Sequence, residues 1–223
     1  MFIKGCIFGL DGVLVDTAKY HMEAWQRLAA SMGLDLPADS REELRYLSRM
    51  DCLERILEWG GTTYMAEAEK LFWTDVKNNW YTERIAHMRP GEVLPGAVFF
   101  LREVRAAGLR TALASASASA RSVLRSVQIE QYFDAIVDGE QAKKGNVNAE
   151  GFLMAAEALG LEPDECLVFE DSPSGVAAAV RAGFGVVGIG NHPQLTETAM
   201  LAVPGFEHLT LAQVLAQVAV PEV

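Results

Sequence analysis

Apolar positions change their period twice along this chain. Residues 3–8 form a short, mostly apolar stretch that predicts a buried strand, broken at once by Gly9 and Gly12. From 19 to 32, Tyr20, Trp25, Leu28 and Ala29 recur at helical spacing, with Gly33 placed as a C-terminal cap. Ser40 and Glu43 read as a capping box ahead of Leu44, Leu47, Leu53 and Ile56, and Gly60-Gly61 ends that helical stretch. A further helix, rich in Trp and Phe, is expected over 66–85. No strand pattern lies between Thr17 and Met88, so this block reads as an all-helical insert.

Arg89-Pro90-Gly91 and Pro95-Gly96 mark the second change, after which strands and helices alternate. Helices are expected over 98–107, 120–127, 150–159 and 175–182, and strands over 110–114, 135–137, 166–169 and 185–189. Such alternation predicts an α/β fold, a doubly wound parallel sheet of Rossmann-like type with right-handed crossovers. Residues 1–15 and 93–223 would form the core and 16–92 the helical insert. In sheets of this kind ligands bind at the carboxyl ends of the strands.

Composition narrows the partners. At 223 residues and 50% apolar content the chain can bury one large core, or one core with an insert. Its net charge of -11 and pI near 4.8, with Lys and Arg scattered, argue against a nucleic-acid partner. No segment approaches the ~20 apolar residues a membrane helix needs, and no signal-peptide pattern precedes the first strand, so a cytoplasmic protein with no membrane partner is expected. Cys6, Cys52 and Cys166 have neither metal spacing nor close pairing and read as buried free thiols.

Three expected strand ends carry polar groups that can converge: Asp11, Ser115 and the pair Glu170-Asp171. Gly9 is the oddity, a residue without a side chain where a strand end would present one. Each of these residues also has a plainer explanation. Glu170 and Asp171 suit a helix N-terminus, and Ser115 suits a helix cap. Asp16 either caps the first helix of the insert or marks a hinge. His21 and Trp25 lie at i and i+4 on one helix face, a spacing that serves core packing as readily as ligand contact. Ser48-Arg49 fits an ordinary helix start, and Lys77 is a surface lysine by default.

Phe8-x-Leu10-Asp11-Gly12-Val13-x-Val15-Asp16-Thr17, then Ala114-Ser115-Ala116-Ser117, then Phe169-Glu170-Asp171-Ser172 with Gly175, resemble three motifs of the haloacid dehalogenase superfamily. Within it, the insert and the run Asp16-Thr17-Ala18-x-Tyr20-His21-x-x-Ala24-Trp25 resemble the β-phosphoglucomutase group. The resemblance implies a helical cap over a phosphorylated hexose, a magnesium ion, and phosphoryl transfer through an aspartyl phosphate. Asp11 matches the general acid and base. Glu170, Asp171 and the backbone carbonyl of Asp11 match the metal ligands, and Ser115, Ala116 and Lys144 the phosphate contacts. Thr17, His21, Trp25, Ser48, Arg49, Lys77 and Ser117 match the cap and substrate positions.

The departures from that pattern fall together. Gly9 stands at the nucleophile's position, Asn146 at that of a lysine, Tyr46 at that of a cap glycine, and Ala118-Ser119 where the group has Lys-Asn. Glycine supplies no carboxylate to attack phosphorus and none to hold magnesium. The expectation is a monomeric, catalytically silenced relative that retains phosphosugar binding. The alternative is an active phosphatase or mutase that uses water activated by Asp11, or an unidentified nucleophile.

Overall fold

The computed structural model describes residues 2–45, 47–62, 64–141 and 149–218. The chain divides into two compact units, one of Met1–Asp16 with Met88–Val223 and one of Thr17–His87.

In the first unit, β1 (Gly5–Phe8) is the centre of a six-stranded, all-parallel sheet with β2 (Arg110–Ala114), β3 (Ala135–Val137), β4 (Cys166–Glu170), β5 (Gly185–Ile189) and β6 (Leu201–Val203), in the order β3-β2-β1-β4-β5-β6. Every residue of β1, β4 and β5 is buried, as expected of parallel strands covered on both faces. The order reverses direction between β1 and β4, and that switch point opens at their carboxyl ends. The first strand begins at Gly5, two residues later than the apolar run suggests.

The second unit consists of α1 (Ala18–Ser31), α2 (Ser40–Leu44), α3 (Arg49–Trp59) and α4 (Glu67–Ile85), with no strand among its described residues. Its core gathers Met22, Trp25, Leu28 and Ala29 of α1, Leu44 of α2, and Cys52, Leu53, Ile56 and Leu57 of α3. The expected single helix beginning at Ser40 is two helices. Asp39, not Ser40, holds the N-cap of α2 and makes no side-chain cap bond, so the proposed box with Glu43 does not form. The same serine–acid spacing is used instead at Ser48, whose Oγ accepts the Asp51 N–H at 3.1 Å and starts α3.

Around the sheet, the chain continues as α5 (Ala97–Ala106), α6 (Ala120–Ser126), α7 (Ala149–Leu159), α8 (Pro173–Arg181), α9 (Pro193–Thr198) and α10 (Leu211–Val218). Successive strand residues point to opposite faces. Ile7, Ala112 and Val168 pack under α7 and α8 with Phe152, Ala155 and Val176. On the other face, Phe8 and its β4 partner Phe169 stack at 4.7 Å with an 8° interplanar angle, and Phe100 and Phe206 close around them. Burying each such ring contributes about 2–3 kcal/mol. Phe8 and Phe169 directly precede Gly9 and Glu170, so this ring cluster holds the two strand ends in fixed register. Cys6, Cys52 and Cys166 are free and buried.

Candidate functional site

Beyond the phenylalanines, the chain leaves β1 through a turn that folds back on itself. The N–H of Gly12 donates to the carbonyl of Val15 at 2.8 Å, and that of Leu14 to Leu10 at 2.9 Å. Gly12 takes φ +70°, and a Cβ there would stand 2.1 Å from Oδ2 of Asp171. Only glycine combines that conformation with so close an approach. Asp11 and Asp171 are thereby gathered at the ends of β1 and β4.

Gly9 has a different reason to be small. Its N–H donates to the Phe169 carbonyl at 2.8 Å, continuing the β1–β4 ladder. A Cβ on Gly9 would lie 2.7 Å from Oε2 of Glu170 and 3.2 Å from Cγ2 of Val13. The Glu170 carboxylate therefore occupies space that a side chain at position 9 would need. Its other oxygen, Oε1, accepts the Ser172 Oγ–H at 2.5 Å and the Ser172 N–H at 3.1 Å. Ser172 Oγ in turn accepts the Gly175 N–H at 3.1 Å and caps α8. Burial, then the negative charge of Asp171 and Asp11, raises the Glu170 carboxyl to about 7 against the opposing Ser172 hydrogen bonds.

At the end of β2, the Ser115 N–H donates to Val137 at 3.0 Å, and Ser115 Oγ accepts the Ser117 N–H at 3.2 Å. Ser117 Oγ accepts the Ser119 N–H at 3.2 Å, so the loop is a chain of serine turns. Ala116 is exposed and Ser115 and Ser117 half-buried. Lys144 and Asn146 lie outside the described residues, as does Tyr46.

Magnesium favours hard oxygen donors, and Asp11, Glu170 and Asp171 are of that kind. The arrangement nevertheless does not fit the ion. No group of three or more carboxylate, His or Cys side chains among the described residues is placed to hold a metal. Glu170 is tied to Ser172 on one side and fills the Gly9 space on the other.

Within the helical unit, a second cluster forms where α1 meets α4. Lys77 is a correction to the expectation of a surface lysine, for only 1% of it is exposed. Its Nζ lies 2.6 Å from Nδ1 of His21, 4.5 Å from the Trp25 ring centre and 5.2 Å from that of Tyr81. The His21 and Tyr81 rings stack at 3.8 Å, and the Tyr81 hydroxyl donates to Thr17 Oγ1 at 3.4 Å. Burial, with the positive charge of Arg49 next, lowers Lys77 to about 7. Burial first, then Lys77 and Arg49, lowers His21 to about 3. Trp25 belongs to the core and to this cluster at once. Thr17, not Asp16, holds the N-cap position of α1.

Ser48 and Arg49 open α3, and both are exposed. The serine acts there as an ordinary helix cap, its Oγ also donating to Asp51 Oδ2 at 2.6 Å. Two participants have no role assigned to them from the sequence. Tyr81 is one helical turn beyond Lys77, and Ser172 directly follows the acidic pair.

Residues 3–183 match the family described as haloacid dehalogenase-like hydrolases. The β-phosphoglucomutase of Bacillus subtilis is 37% identical over 189 residues, covering 84% of each chain. A phosphorylated carbohydrates phosphatase of Thermotoga maritima is 31% identical, with 83% of this chain and 86% of that protein covered. The crystal structure of a β-phosphoglucomutase from Clostridium difficile superposes with a TM-score of 0.85 at 36% identity, covering 97% of both chains.

Proposed function

The chain belongs to the haloacid dehalogenase-like hydrolase family, and from that premise we propose a phosphosugar-binding protein of the β-phosphoglucomutase and sugar-phosphatase lineage that has lost most or all phosphoryl transfer. One observation carries the reading. At the end of β1, where the resemblance places the nucleophilic carboxylate, Gly9 has none, and Glu170 fills the space beside it.

Loss of a covalent nucleophile from a concerted catalytic group costs on the order of a million-fold, about 8 kcal/mol of transition-state stabilisation. No neighbouring group restores it. Asp11 retains the acid–base position, but a base without an acceptor for the phosphoryl group has no aspartyl phosphate to form or break. Position 9 offers magnesium no ligand either, which leaves Glu170, Asp171 and the Asp11 carbonyl as the contacts in the pattern of the group, and Glu170 is already bound to Ser172.

Binding is a separate matter from turnover. Lys77, His21 and Arg49 match the substrate positions of the group, and the positive charge of the exposed Arg49 favours a phosphate ester. A phosphorylated hexose is the ligand this reading names. A cytoplasmic monomer goes with it, and sedimentation velocity tests the oligomeric state.

Two measurements separate the parts of the proposal. Incubation with β-glucose 1-phosphate, glucose 6-phosphate and an aryl phosphate, each with magnesium, is expected to give no turnover above a trace. Conversion at ordinary enzyme rates would establish instead an active phosphatase or mutase, using water activated by Asp11 or an unidentified nucleophile. Calorimetric titration with the same sugar phosphates is expected to give heat, and none at millimolar ligand would remove the binding role.

A further inference from the structure

Lys77 is surrounded by groups that do little to keep an ammonium charged. The titratable and charged groups facing it are His21 of α1, Arg49 and Cys52 of α3, and Tyr81 of its own helix. Arg49 repels an ammonium, and the Cys52 thiol, pushed up to about 11 chiefly by burial, is neutral near pH 7. The ion pairs described in the helical unit engage Arg55, Lys70 and Arg84. None of those pairs brings a carboxylate to Lys77. What the site does provide is an imidazole nitrogen at 2.6 Å and two aromatic faces. A desolvated lysine beside another cationic group, with a proton acceptor in reach, is the arrangement that turns an amine into a nucleophile.

We propose that Lys77 is a reactive amine that condenses reversibly with the carbonyl carbon of a phosphate-bearing aldehyde, the open-chain form of an aldose phosphate, with His21 relaying the proton. The Nζ lone pair forms a C–N bond, and the carbonyl oxygen becomes a hydroxyl whose proton comes from the nitrogen through His21 Nδ1. That hydroxyl leaves as water with the second nitrogen proton, and a C=N bond remains. No electrons are gained or lost, so the step needs no oxidant or reductant. The lowered Lys77 value near 7 leaves much of the amine neutral at physiological pH, and His21 stays an uncharged imidazole. The phosphate on the aldehyde rests on the phosphosugar reading, with Arg49 as its contact; the amine chemistry does not.

Pyridoxal 5′-phosphate serves as the phosphate-bearing aldehyde and pyridoxal as the same aldehyde without phosphate, each trapped with borohydride and located by peptide mapping. Lys77 is expected to be modified first among the six lysines of the chain, about tenfold faster than Lys4, Lys19 or Lys70, and faster by the phosphorylated probe. The rate should rise with pH through a midpoint near 7. Lys77→Arg, which keeps a long basic side chain but has no neutral amine, should abolish this label. His21→Asn, which keeps the amine, should slow it about tenfold or more. Label spread over the surface lysines, or Lys77 untouched in protein that still binds sugar phosphate by calorimetry, would overturn the amine chemistry alone. Equal, selective labelling by both probes would instead overturn the phosphate-bearing class and, at this site, the phosphosugar reading.

Discussion

The strand ends of the sheet unit and the α1–α4 cluster of the helical unit are both crowded with charge, but of opposite sign and for different structural reasons. At the strand ends the backbone itself gathers carboxylates: Gly12 lets Asp171 approach, and Gly9 leaves space that Glu170 fills. Glu170 is raised to about 7 there, so burial and its acidic neighbours work against its ionised form. In the helical unit Lys77 and His21 are lowered to about 7 and about 3, so burial and Arg49 work against their protonated forms. The acidic cluster is held by hydrogen bonds from the Ser172 cap, whereas the basic one is held by ring faces. Hydrogen bonds oppose the rise of Glu170; ring faces offer Lys77 much weaker relief. Charge of this kind lowers stability wherever it is kept, which is the reason to look for a ligand at both places.

The largest effect should come from filling the Gly9 space. Gly9→Asp puts a Cβ 2.7 Å from Oε2 of Glu170 and adds a further carboxylate to the group. Without divalent cations this variant should lose about 3 kcal/mol, from displacement of Glu170 and repulsion together. Millimolar magnesium should recover much of that loss, because the added carboxylate is a hard oxygen ligand. Thermal melts with and without the ion check both halves, and a variant as stable as the parent in the absence of metal would show that Glu170 does not occupy this space.

The converse change belongs to the basic cluster. Lys77→Met replaces a buried amine with an apolar chain of similar length among Trp25, Tyr81 and His21. It should stabilise the protein at pH 7 by about 1–3 kcal/mol, read from urea midpoints. Sugar-phosphate binding should weaken in the same variant. A destabilised Lys77→Met would mean that the amine contributes to packing more than its burial costs.

The pH dependence of that difference follows from the direction of the Lys77 shift. Its folded value near 7 lies below its ordinary 10.5, so between these values the unfolded chain binds a proton that the folded protein lacks. Stability of the parent therefore rises with pH across that window, and the full cost of the buried ammonium is present below it. The advantage of Lys77→Met should be largest at or below pH 7 and shrink by pH 9.5. His21, lowered from 6.5 to about 3, adds a separate loss of stability as pH falls through that range. A Lys77→Met advantage that is flat from pH 7 to 9.5 would place the folded Lys77 value near that of an ordinary lysine.

Much of this contrast is legible in the sequence on one side and little on the other. Buried parallel strands are continuous apolar runs, so Gly9, Asp11, Ser115 and Glu170 could be assigned to strand ends from the points where those runs stop. Strand β6, three half-buried residues Leu201–Val203 at the sheet edge, escaped, although the equally short edge strand β3 did not. The resemblance singles out Lys77, but its burial escaped because its nearest partner, His21, stands 56 positions away and nothing in the pattern of α4 distinguishes it from a solvated lysine. Position 146 remains a statement about sequence alone, outside the described residues.

Two helix caps of identical chemistry provide the finest comparison between the regions. Ser48 caps α3 through Asp51 N–H and is exposed, whereas Ser172 caps α8 through Gly175 N–H, is buried, and also donates to Glu170. Water can replace the first hydroxyl, so Ser48→Ala should cost about 0.5–1 kcal/mol. In the second case both the Gly175 N–H and Glu170 Oε1 lose a partner where water has poor access, and Ser172→Ala should cost about 2 kcal/mol. Urea midpoints of the two variants at one pH supply the test. Equal losses would show that Ser172 acts only as a helix cap and that Glu170 is positioned without it.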